Sequence, residues 1–150
     1  MSQTPYAYDH LSITRYTFTS VGRKRIEKVV DFTDFGVKNT FNLAFGDMLP
    51  DGSIDDMASS NNGDIVKVLA TVISILKDFT SKNPKAHVVF TGSTDERMKL
   101  YTRIIKSYYS IFSKEFNVSG FIKDGDRYNE VQFDPKVPLE YVVFLIKKII

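Results

Sequence analysis

Between Ile65 and Phe79 the apolar residues Ile65, Val68, Leu69, Val72, Ile73, Leu76 and Phe79 recur at three- and four-residue spacing, with Lys67, Lys77 and Asp78 on other faces. That period defines an amphipathic helix whose single apolar stripe must be buried against something else. Asn83-Pro84 ends it, because proline disfavours helical geometry in the residue before it.

The flanking segments supply that surface. Ile13 to Thr19 alternates Ile13, Arg15 and Thr17 against Thr14, Tyr16 and Phe18, and Ile26 to Phe32 places Ile26, Lys28, Val30 and Phe32 on one face. Both read as strands, joined by a basic turn of Gly22, Arg23, Lys24 and Arg25. Thr40 to Asp47 repeats the pattern with Phe41, Leu43 and Phe45, which completes an antiparallel meander. Ala86 to Thr91 is apolar through Val88, Val89 and Phe90, as a central strand covered on both faces would be. A second helix is expected from Thr94 to Phe116, its buried stripe formed by Leu100, Ile104, Tyr108, Ile111 and Phe112. Val118 to Lys123 and Tyr128 to Phe133 flank Asp124-Gly125 and read as a hairpin. In Leu139 to Ile149 the run Tyr141, Val142, Val143, Phe144 favours a strand, although Lys147 and Lys148 suit a helix end. The expectation is an α+β fold. A largely antiparallel sheet, made of an N-terminal meander, a central strand and a C-terminal hairpin, carries two main helices in a single domain over residues 1–150.

Composition excludes several chemistries. The chain has 150 residues and no cysteine, which rules out disulfides, thiolate metal sites and a cysteine nucleophile. Its apolar runs, such as Val142 to Ile146, are too short to span a bilayer, and Met1 to Leu11 lacks the basic and apolar regions of a secretory signal. A cytoplasmic protein with no membrane partner is expected. The formal charge of +2 is weak evidence for a polyanionic partner.

Four constellations could carry chemistry. Thr91-Gly92-Ser93-Thr94-Asp95-Glu96-Arg97 lies where a strand turns into a helix, a junction that gathers backbone N–H groups and suits an anion, with Arg97 as a fork of donors. Ser93 and Glu96 also match a capping box, which would occupy the same amides, and the glycines and lysine of a P-loop are missing. Ser59 to Asp64 precedes the first helix with more cap-type residues than one helix start requires. Asn61, Asn62 and Asp64 could therefore form a polar ligand site together with Thr91, Ser93, Thr94 and Arg97 if the two helix starts lie side by side. The acidic group Asp47, Asp51, Asp55, Asp56 and Asp64 does not fit the calcium-loop pattern, and neither metal nor cofactor is expected. Arg23, Lys24, Arg25 and Lys28 on the hairpin, with Lys99, Arg103 and Lys106 near Tyr101 and Tyr109, could bind nucleic acid through phosphate contacts and stacking. His10 and His87 stand alone, and no catalytic triad is legible.

The motifs Leu43-Ala44-Phe45-Gly46-Asp47, Ser60-Asn61-Asn62-Gly63-Asp64 and Thr91-Gly92-Ser93-Thr94 with Arg97 resemble a family of small bacterial single-domain proteins labelled only as a domain of unknown function. The resemblance implies a bacterial protein and brings no activity or catalytic residue. The functional expectation is a non-catalytic binding or interaction domain, its polar site at the two helix N-termini, its partner an anionic small molecule or a protein. An enzyme acting on a phosphorylated or nucleotide substrate is the alternative, with Arg97 on phosphate and Asp64 as base or metal ligand. Nucleic-acid binding along the basic second helix is the third reading and is not favoured.

Overall fold

The computed structural model describes residues 4–10, 14–55, 62–91 and 94–149; of His10 and Arg97 it describes the backbone. The architecture is α+β, with mostly antiparallel strand pairing. The described chain divides into two compact units, one made of residues 1–33 and 43–84, the other of 34–42 and 85–150.

In the first unit β1 (Asp9–His10), β2 (Arg15–Val21), β3 (Arg25–Asp34) and the later part of β4 (Thr40–Met48) form the expected meander, and β5 (Ile54–Asp55) pairs with the end of β4. The register Tyr16↔Val30 and Phe18↔Lys28 puts Tyr16, Phe18, Ser20, Lys28, Val30 and Phe32 on one face. Helix α1 (Ile65–Lys82) covers that face: Phe32 stacks on Phe79 at 3.9 Å, and the Tyr16 hydroxyl donates to Asp78 (2.7 Å). The stripe departs from the expected one: Ile75, outside that set, is fully buried. Ile65 is 52% exposed, while Thr71 and Thr80 are buried because their hydroxyls bond back to Lys67 O and Leu76 O.

In the second unit the strand order is β4, β6 (His87–Phe90), β9 (Tyr141–Lys148), β7 (Phe116–Asp124), β8 (Arg127–Gln132). Only the short β4–β6 pairing is parallel among the described strands. The last segment is a strand. Gly125, at φ 62, takes the first central position of the β7–β8 turn, a conformation that matches strand twist and favours glycine.

The expected second helix is two, α2 (Asp95–Ser107) and α3 (Tyr109–Glu115), with the chain leaving helical geometry at Tyr108 (φ −115, ψ 20). Its stripe is also turned from the expected one: Met98, Ile105 and Phe112 are buried, while Leu100 and Ile104 are half-exposed. Tyr101 lies on Phe90 (4.4 Å) and Tyr109 on Phe133 (5.3 Å), so the rings of these helices set the phase that the aliphatic residues do not.

Candidate functional site

Asn62 and Asp64, the described part of the polar run before α1, face inward. Asn62 is 4% exposed. Its Nδ2 donates to Ser20 Oγ (3.0 Å) and Lys24 O (2.8 Å), its Oδ1 accepts from Lys24 N–H (2.9 Å), and its backbone O accepts from Arg23 N–H (3.0 Å). One side chain thus clasps the β2–β3 turn, and the turn can come that close because Gly22 has no Cβ to meet Asn62.

Asp64 occupies the N-cap position of α1 but makes no side-chain cap bond. Its Oδ2 instead accepts from Ser20 Oγ and from the Tyr6 hydroxyl, each at 2.6 Å. Burial alone would raise the Asp64 pKa. The bonds from Ser20 and Tyr6, its own backbone N–H and the Lys28 charge outweigh that and hold the carboxyl below the ordinary value. Tyr6 moves the other way, raised by burial and by the Asp64 carboxylate, and Lys67 Nζ stands 4.4 Å over its ring.

Lys28, one of the basic residues near the hairpin turn, is itself buried and salt-bridged to Asp47. The two polar motifs, Phe45-Gly46-Asp47 and Asn62-Gly63-Asp64, therefore meet through Lys28 in one charged network beneath α1. What this network does chemically is fix charges: each polar atom described above faces another part of the unit. Among the described residues no group of three or more His, Asp or Glu side chains is gathered for a metal.

The other half of the sequence-expected site falls in the second unit. Thr91 donates to Val142 O (3.0 Å), tying the end of β6 to β9, and Thr94 accepts from Met98 N–H through its backbone O (3.0 Å) at the start of α2. Asn61, Asp56, Gly92 and Ser93 lie outside the described residues, as does the Arg97 side chain. Lys99, Arg103 and Lys106 are exposed on α2, but Tyr101 and Tyr109 face the sheet rather than the basic surface; Arg23 and Arg25 are exposed in the first unit.

The second unit carries a feature the sequence did not announce. On one face of this sheet Tyr101 of α2 packs on Phe90, and Phe133, which meets Tyr109 of α3, packs on Phe144. On the other face a groove of about 520 Å³ runs over Val89, Phe121, Val143 and Leu145, rimmed by Phe35, Val37 and Tyr128. Thr40 and His87 are the polar residues among its lining. Phe35, Val37 and Tyr128 are 48%, 59% and 60% exposed, so large apolar groups cluster in the open where scattered single residues would need no account. The signal available in sequence was the odd-numbered set His87, Val89, Val143 and Leu145, which strand alternation puts opposite the even-numbered core residues.

No helix of the described chain is long and apolar enough to cross a membrane. A family model described as a family of unknown function (DUF6934) matches residues 2–149. No curated protein and no solved structure matches the chain.

Proposed function

The chain belongs to that family of unknown function, and from its own geometry we propose a non-catalytic binding domain that holds an apolar small molecule in the groove of the second unit. The observation that carries this is the groove itself: its volume lies in the range of small-molecule sites, and its walls are almost wholly apolar. The polar residues at the start of α1 support the same division of labour, since Asn62 and Asp64 are engaged inside their own unit. With this reading goes the cytosolic, bacterial setting expected from the sequence.

An enzyme using Asp64 as base is less favoured, because its carboxylate is already engaged by Ser20 and Tyr6. Nucleic-acid binding loses its stacking platform, because Tyr101 and Tyr109 are packed inward.

The test is a titration with Nile red, a neutral dye that brightens in apolar surroundings; the chain has no tryptophan to complicate the emission. Saturable one-site binding by the wild type, weakened at least tenfold by Val37→Asp with an unchanged melting midpoint, is the expected result. Binding that is absent, or equal in the variant, overturns the proposal.

A further inference from the structure

We infer that the ligand of this groove is an amphiphile with a carboxylate head, a fatty acid in chemical class, whose head is held by His87 and Lys147. The inference rests on the groove reading above and adds the chemistry of one end.

Register carries the argument. Thr40 pairs with His87 across β4–β6, His87 with Lys147 across β6–β9, and Lys147 with Asn117 across β9–β7. Paired residues on adjacent strands point to the same side, so these four form one polar row across four strands. The next row on that face is Asn42, Val89, Leu145 and Ser119, and the one after it Val143, Phe121 and Glu130; of these, Val89, Leu145, Val143 and Phe121 are groove walls. The groove is therefore an apolar path that reaches, at His87, a polar row in which Lys147 is the cross-strand neighbour of His87. His87 lines the groove and is half-buried, as is Lys147.

Neither base has a carboxylate partner among the described residues, whereas Arg15, Lys28 and Lys82 each have one. Glu130, the carboxylate on this face of β8, stands at the level of Phe121 rather than at the polar row, and Ser119 Oγ holds it at 2.6 Å. An anion at the His87 row would meet two donors with a low-dielectric wall behind them, and its chain would lie along Val89, Leu145, Val143 and Phe121. A neutral ligand would leave Lys147 without a counter-charge beside that wall.

Displacement of Nile red by dodecanoate, dodecanol and dodecyltrimethylammonium, each below its micelle concentration, tests this. Dodecanoate is expected to bind at least tenfold more tightly than dodecanol, and the ammonium more weakly than either. Lys147→Gln and His87→Gln should each erode the preference for the carboxylate while leaving dodecanol affinity and the melting midpoint unchanged. Equal displacement by dodecanoate and dodecanol, or a preference untouched in both variants, overturns the inference and leaves the apolar groove standing. Tighter binding of dodecyl phosphate than of dodecanoate overturns the carboxylate assignment. If none of these displaces the dye, or if light scattering shows a dimer that the amphiphile does not dissociate, the groove reading falls with it.

Discussion

The backbone carbonyl of Asn62 occupies the space into which a side chain on Gly22 would project. The contact closes the β2–β3 turn from above, with Arg23 N–H and both backbone groups of Lys24 bonded to Asn62. Gly22→Ala forces the carbonyl or the turn to move, at a cost of about 1–3 kcal/mol. Asn62→Ala removes its bonds to Ser20 Oγ and Lys24 O and leaves the Lys24 N–H without its acceptor, and is expected to cost about 1–3 kcal/mol. Because both changes loosen the same clasp of the β2–β3 turn, one at the Asn62 backbone and the other at its side chain, the double variant should lose less than the sum. Urea unfolding of the four proteins measures the coupling.

Lys28 and Asp47 form an ion pair with the lysine almost wholly out of water. Removing the lysine takes a buried counter-charge away from Asp47, so Lys28→Met is expected to destabilise by about 3–5 kcal/mol. Lys28→Met with Asp47→Leu should recover most of that loss, since neither charge then needs a partner. A double variant as unstable as the single one would show that the pair does more than neutralise itself.

Acid should weaken the first unit through Asp64. Its folded pKa lies below the ordinary 3.8, so the carboxylate contributes stability above that value, and the contribution is lost as pH falls through the lower folded pKa. Asp64→Asn keeps an acceptor for Tyr6 and Ser20 but removes the titration. Stability measured from about pH 6 down to about pH 2 should therefore fall less steeply in the variant.

Alkali acts through Tyr16. Burial first, then the Asp78 bond and charge, raise its pKa well above the ordinary 10.0. The neutral ring is therefore favoured in the fold, and its contribution is complete below pH 10.0 and declines as pH rises beyond it. Tyr16→Phe should lower stability at neutral pH by about 1 kcal/mol through the lost hydrogen bond. The difference between variant and wild type should narrow as pH is raised. A constant difference across that range would exclude the titration of Tyr16 as the cause.

Much of the fold was legible because local pattern and tertiary demand agreed. Period-two alternation marked β2, β3 and β4, the three- and four-residue spacing marked α1, and Asp124-Gly125 marked the β7–β8 turn. The phase of α2 was not legible, since Leu100 and Ile104 compete for the inner face with Tyr101, whose stacking on Phe90 decides the rotation. Lys28 read as a surface base because a strand pattern cannot report that Asp47 waits on the next strand. Asn62 read as a cap or a ligand group for a similar reason: its partners Ser20 and Lys24 are far away in sequence. The groove was hidden because Val89, Val143 and Leu145 look like any strand interior until Tyr101 and Phe133 are seen to pack on the other face.

The segment 34–42 belongs to the second unit although it is made between two parts of the first. During synthesis the first unit is complete once residue 84 has emerged, whereas Thr40 waits for His87 and the strands behind it. Until then Phe35 and Val37 hang on a hairpin with no sheet to join. A nascent chain stalled near Pro84 would present a folded body with an adhesive apolar finger, a species that chaperones would be expected to recognise before the finished protein ever meets a ligand.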